Sequence, residues 1–332
     1  MAASVGLPSD DLAVQATNDD ATSCKRYAVD RGYWKDEFIR YLYRSSEKKS
    51  PEISRGYYAR VKSIHILVDQ FLDRTQQKCQ LVTFGAGSDT LHWLLWKRKK
   101  LPALHVEVDF PTVTARKSHC IKTRPVLLEA LSNPVITMEA IRSDHYVLLP
   151  ADLRDVKSLG KQLIDAGLDP NLPTLFLAEC VLAYVEGAKV NDVIRWTAEH
   201  FKTSVFLNYD PINPFDKFGE IMKQNLKSRG CALLGMETCP DSESQVKRYH
   251  DNGWEGAWSM DMAEVYARLP RDDVARIERI DFLDERELLD QLLRHYCLSG
   301  AHLDSQQLGE LCLLPLVYSS ERTLQIKDSL QG

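Results

Sequence analysis

Apolar positions along the chain keep two rhythms. Over 53–73, Tyr57, Val61, Ile64, Val68 and Phe71 return at helical spacing while Lys62, Asp69 and Asp73 gather on the opposite face, which predicts one amphipathic helix. At about 100° per residue Arg60 falls beside Tyr57, Ile64 and Phe71, at the edge of the core-facing stripe, where a guanidinium requires an anion. Beyond this helix the rhythm shortens. Runs rich in β-formers at 81–84, 104–108, 146–149, 174–178 and 205–208 alternate with helical stretches such as 89–97 and 190–201, the pattern of βαβ units and a mostly parallel sheet.

The segment 210–273 is longer than a crossover and holds three helical patterns, at 215–228, 242–250 and 260–268, so it reads as a helical insertion after the fifth strand. The remainder returns to sheet-like and helical runs at 276–282, 285–295 and 296–303, with a last apolar run at 311–317. Residues 1–23 are rich in Ala, Ser, Thr and Asp without periodicity and read as a disordered tail outside the fold.

Composition narrows the function classes. With 44% apolar and 27% charged residues the chain is neither fibrous nor low-complexity, and 42 basic against 47 acidic residues give a net charge of -5, the wrong sign for wrapping nucleic acid or lying on an anionic membrane. The longest apolar run, 172–185, is too short to cross a bilayer and carries Glu179. Eight cysteines without a CxxC pair and nine scattered histidines present neither a disulfide framework nor metal-ligand spacing, so no metal is expected and a reduced, cytoplasmic chain is. The basic run from Lys97 to Lys100 reads as the solvated end of a helix.

In open parallel sheets ligands sit beyond the carboxyl ends of the strands. Here the first strand runs into Gly85, Ala86 and Gly87, the second ends at Asp109, the third leads to Asp152 and the fourth ends at Glu179. A dinucleotide fingerprint would need glycine where Thr90 stands, and Asp89 would repel a pyrophosphate, so a cationic nucleoside without phosphates, such as S-adenosylmethionine, suits these residues better. Each residue also has a plainer reading. The glycines can be a tight βα turn, Asp109 a surface loop residue and Asp152 a helix N-cap, while Glu179 can answer an internal arginine as well as a ligand cation.

The segments CKRYAV at 24–29, RGYYAR at 55–60, FGAGSDT at 84–90, EVDFP at 107–111, ADLRD at 151–155, AECVL at 178–182 and RHYCL at 294–298 together resemble the leucine carboxyl methyltransferases, over about 24–303. The resemblance implies an α/β, Rossmann-like S-adenosylmethionine-dependent methyltransferase fold with a mostly parallel seven-stranded sheet, as a single domain over 24–332. Its parts would be an N-terminal helical cap (24–78), a cofactor-binding core (79–209), the insertion (210–273) as a substrate lid and a C-terminal part of the sheet (274–332). It also implies that Lys25 and Arg60 hold the methionyl carboxylate, that Gly85 and Gly87 border the cofactor, that Asp109 binds the ribose, that Asp152 and Leu153 bind the adenine and that Glu179 lies near the amino-acid end. Ser88 departs from the larger apolar residue expected in the glycine motif.

The acceptor implied is the α-carboxylate of the C-terminal leucine of the protein phosphatase 2A catalytic subunit, an esterification bearing on holoenzyme assembly. That tail would be the partner of a monomeric enzyme, with Tyr184, Tyr209 and Arg154 candidates by position for holding the acceptor carboxylate. The alternatives are a relative methylating a tRNA base or a small carboxylate, an inactive fold that binds a phosphatase, and a nicotinamide oxidoreductase, which Thr90 disfavours.

Overall fold

The computed structural model describes residues 11–308. Among them nine strands form one sheet: β1 (Gln80–Phe84), β2 (Leu104–Asp109), β3 (Val135–Ile136), β4 (Ile141–Arg142), β5 (Tyr146–Pro150), β6 (Thr174–Glu179), β7 (Thr203–Pro211), β8 (Gly256–Asp261) and β9 (Tyr296–Asp304). Their order is β3-β4-β5-β2-β1-β6-β7-β9-β8. The five central strands, β5 to β7, are parallel, and antiparallel pairs close both edges. The count exceeds the expected seven by the two-residue strands β3 and β4, too short to leave an alternating pattern in the sequence.

Alternation along the central strands sends Leu81, Leu175, Leu177 and Leu207 to one face and Val82, Phe84, Phe176 and Phe206 to the other, and both faces are buried, as a parallel sheet requires. The first face is covered by α1 (Asp11–Arg31), α3 (Pro51–Arg74) and helices of the C-terminal half, with the short α2 (Ile39–Leu42) between the first two. α4 (Leu91–Lys97), α5 (Pro111–Thr123) and α6 (Pro125–Leu128) surround the β1–β2–β5 side. The second face packs α7 (Val156–Asp165), α8 (Gly187–His200) and α10 (Ser242–Asp251), while α9 (Lys217–Lys227) lies outside the sheet. The chain continues through α11 (Met262–Arg268), α12 (Arg271–Ile277) and α13 (Arg286–Arg294) into β9.

Two expectations change. Residues 11–23 are not a disordered tail but the first half of α1; residues 1–10, and the run at 311–317, lie outside the described residues. The helix escapes hydrophobic periodicity because the residues it buries include Thr22 and Ser23 and because much of it faces a polar cavity. The insertion is likewise not wholly helical, since Gly256–Asp261 forms the edge strand β8 on β9. There Trp258 lies across from Gly300 and His302 across from Gly256, each ring occupying the space a glycine leaves. The basic run is the solvated end of α4, as read, and its exposed side chains also reach carboxylates: Arg98 and Lys100 each stand 2.7 Å from one on α3, Asp69 and Asp73, and Lys97 pairs with Glu37.

Candidate active site

Register places the chemistry. Phe84 is level with Val108 on β2 and with Ala178 on β6, so Gly85, Asp109 and Glu179 emerge side by side at the carboxyl edge, where the strand order reverses about β1. The turn after β1 requires glycine. Gly85 (φ +61°) and Gly87 (φ +49°) lie in the left-handed region, and a Cβ would meet Val181 Cγ2 at 2.3 Å in the first case and Asn18 Oδ1 at 2.3 Å in the second. Cys180, directly after Glu179, holds φ +60° without being glycine, a strained turn beside the cluster of charges.

A cavity of about 480 Å³ opens over this edge. Lys25, Arg60, Gly85, Gly87, Asp109, Asp152, Leu153 and Glu179 all line it, as do Tyr184 and Arg154. Tyr209 does not; it lies behind, its ring 4.7 Å from the Arg60 guanidinium and stacked at 5.3 Å on Tyr296, which does line the cavity.

The anion that Arg60 called for is Glu179. Arg60 Nε donates to Oε1, the Lys25 ammonium stands 2.7 Å from the same oxygen, and Arg60 is 8% exposed. Burial pushes the Glu179 carboxyl up, but Arg60 and Lys25 outweigh it and hold the group well below the ordinary carboxylate range. Lys25 also stands 4.0 Å from Asp89, so two cations and two carboxylates meet at the cavity wall, where the cations can turn to a ligand carboxylate and Glu179 can accept from a ligand ammonium beside it.

Asp109 accepts from the N–H of Gly87 and of Phe110, each at 2.7 Å, which ties the glycine turn to the end of β2 and leaves further lone pairs toward the cavity. Burial raises its pKa against these bonds. Asp152 is not the helix cap; Asp155 caps α7 by accepting from Ser158 N–H. The Asp152 carboxylate is instead bound by Arg154 at 2.6 Å, and Arg154 also holds Asp11 at 2.8 Å. Both carboxylates thus meet the Arg154 guanidinium, half-exposed at the cavity.

The wall that sequence reasoning missed is the first half of α1, residues 11–23; Lys25, in its second half, was among the expected residues. Asp11, Val14, Gln15, Thr17, Asn18 and Lys25 are among the residues the helix gives to the cavity, and its seat is specific. Ser88 N–H donates to Asn18 Oδ1 at 2.9 Å and Asn18 Nδ2 to Ser88 Oγ at 3.2 Å, so the small polar Ser88 that departed from the motif is what receives the helix. Asp20 pairs with Arg229, which follows α9 and also lines the cavity. Val185, Leu226 and Leu234 give the lining an apolar part together with Tyr184, while Val181 packs on Gly85 of the glycine turn.

These residues fit S-adenosylmethionine by the chemistry of their donors: an anion-holding cation pair, an acid beside it, and a second acid at the end of the neighbouring strand, in a volume suited to a small molecule. The leucine carboxyl methyltransferase profile matches residues 13–198, beginning inside α1. The chain is 44% identical over 326 residues to leucine carboxyl methyltransferase 1 of Bos taurus, covering 93% of this chain and 98% of that one. It is also 35% identical to tRNA wybutosine-synthesizing protein 4 of Rattus norvegicus, covering 96% of this chain but 47% of that longer protein. Among solved structures a methyltransferase from Thermobifida fusca superposes with a TM-score of 0.50 at 14% identity, over 86% of this chain and 94% of that one, a likeness of fold.

Proposed function

The chain belongs to the leucine carboxyl methyltransferase family, and from that premise we propose that this S-adenosylmethionine-dependent carboxyl methyltransferase esterifies the C-terminal leucine of the protein phosphatase 2A catalytic subunit. The observation that carries the reading is the Lys25–Glu179–Arg60 cluster at the cavity wall, two cations converging on one carboxylate at the end of β6. In this reading Lys25 and Arg60 hold the methionyl carboxylate, Glu179 takes the ammonium, Asp109 the ribose, Asp152 and Leu153 the adenine, and Gly85 and Gly87 let the backbone approach. Bound S-adenosylmethionine supplies an electrophilic methyl group on a sulfonium, whose charge cancels against the acceptor carboxylate as the methyl passes.

A carboxylate is already ionised at neutral pH, so no residue has to act as base. The protein's part is to align the acceptor and to keep water out, because loss of opposite charges is easier in a dry pocket. Val185, Leu226 and Leu234 form the dry part that receives the leucine side chain, and Tyr184 beside them donates to the acceptor carboxylate. The segment 210–273 supplies Leu226, Arg229 and Leu234 and acts as the substrate lid. Among the described residues no helix is long and apolar enough to cross a membrane. We place the reaction in the cytoplasm, by a monomer, on the cysteine pattern and on an acceptor that is a polypeptide tail.

The test is transfer of a labelled methyl group from S-adenosylmethionine to purified phosphatase catalytic subunit, with the same subunit lacking its terminal leucine as control. Base-labile label that disappears with the truncation is expected. Label that survives truncation, or that appears only on a tRNA acceptor, overturns the assignment.

A further inference from the structure

Beneath the glycine turn lies a second charged cluster that the reaction does not use. Lys117 of α5 is 4% exposed and Glu107 of β2 is fully buried. The ammonium pairs with Glu107 Oε2, to which Tyr146 donates at 2.7 Å, and it lies 5.6 Å from the centre of the Trp93 ring. Its other bond leaves the cluster: Lys117 Nζ donates to the carbonyl of Asp89 at 2.9 Å. Asp89 closes the turn that begins at Gly85, its own N–H donating to Ala86 O at 2.9 Å and its carboxylate accepting from Leu91 N–H at 2.6 Å.

A buried ion pair is a poor way to stabilise a core, since an apolar pair of similar volume does as well or better. It is a good way to fix a carbonyl, because a buried ammonium must spend each N–H on an acceptor. The turn is thus held from two sides. Above, Gly87 N–H donates to Asp109 on β2; below, Asp89 O is held by Lys117, whose counter-ion Glu107 stands two residues before Asp109 on the same strand. Resting on the reading of the cavity as the S-adenosylmethionine site, we infer that Lys117 is a positioning residue for that cofactor: through the Asp89 carbonyl it sets the height of the glycine turn against β2.

Full-length Lys117→Met, Glu107→Gln and the double variant separate this role from plain charge neutralisation. Calorimetric titration with S-adenosylmethionine, thermal unfolding and steady-state methyl transfer are the measurements. Lys117→Met is expected to lose stability and to bind at least tenfold more weakly, with KM for the cofactor raised and kcat at saturation within about twofold. The double variant is expected to regain thermal stability yet remain at least tenfold weak, while Glu107→Gln, which keeps the ammonium on Asp89, stays within about threefold of wild type. Hydrogen exchange of the peptide spanning 85–91 is expected to quicken in both variants lacking Lys117, a readout that does not need ligand. Wild-type affinity in the double variant, or unchanged exchange in the turn, overturns the role. Absence of binding by the wild type would overturn the cavity assignment itself and is told apart by that control.

Discussion

Two buried glutamates at the carboxyl half of the sheet behave in opposite ways. Glu179 ends β6 against two cations, Lys25 and Arg60, and is held well below the ordinary range despite its burial. Glu107 lies in β2 against one cation, Lys117, with a tyrosine donor, and burial outweighs both, pushing its carboxyl up to about 7. The first cluster lines the cavity, its Lys25 shared with Asp89 at 4.0 Å; the second is sealed in the core. The difference teaches that a ligand-binding charge cluster is recognised less by its residue types than by how many cations converge on the carboxylate and by which side is open.

The comparison is broken most strongly at Glu107. Glu107→Ala leaves the Lys117 ammonium buried without its anion, a cost of about 3–5 kcal/mol, so urea unfolding should show a large loss. Glu179→Ala leaves two cations that face the cavity and its water; stability should fall by less than about 2 kcal/mol. Cofactor affinity, read by calorimetry, should fall on the order of 100-fold, as expected for loss of a charge-assisted bond to the ligand. Equal stability losses in the two variants would remove the distinction between an open and a closed cluster.

How much of this was legible in the sequence follows the same division. Arg60 on a core-facing stripe demanded an anion, and Glu179 in an apolar run demanded a cation; they meet because parallel pairing and α3 bring residues 119 apart into contact. Asp109 and the glycine turn were legible because a strand end is a local event. The closed cluster was written less plainly, though Lys117 stands between Val113 and Ile121 at i, i+4 and i+8, on the buried side of α5, which is the signal that would have found it. The first half of α1, residues 11–23, was not legible. A helix that faces a polar cavity on one side and solvent on the other has no apolar stripe to read.

Protonation sharpens the closed cluster from another side. His92 and His105 are fully buried beside Tyr146, and burial drives the His92 pKa down to about 3. An unfolded histidine takes up its proton below about 6.5, whereas folded His92 stays neutral until about 3, so the unfolded state binds more protons in that window. The contribution of His92 is complete above pH 6.5 and is lost as pH falls. Glu107 has the opposite sign, its contribution complete below its ordinary value near 4.5 and lost as pH rises through about 7. Urea midpoints of wild type and His92→Phe at pH 7.5, 6 and 5 should therefore converge or cross, the wild type losing about 1.4 kcal/mol per pH unit relative to the variant below pH 6. A constant difference across that range would mean that His92 is already charged in the folded protein.

The smallest effects are expected where α1 is pinned at its surface. Asp20 to Arg229, Asp19 to Arg116 and Asp11 to Arg154 are half-exposed ion pairs linking α1 to three other parts of the chain. Such pairs contribute little and are screened by salt, so Asp20→Asn should change cofactor affinity by less than about threefold, and the change should vanish in ~0.5 M salt. Asn18 is the contrasting position: its amide exchanges two hydrogen bonds with Ser88 at the glycine turn, and Asn18→Ala leaves the Ser88 N–H facing the cavity without its acceptor. That variant should weaken binding more than Asp20→Asn does, by roughly five- to tenfold, and without salt dependence, as loss of about one ordinary hydrogen bond implies. If Asp20→Asn proves the more damaging, the exposed ions rather than the buried seat hold α1 over the cavity, and the rule drawn from the two glutamates does not extend to this helix.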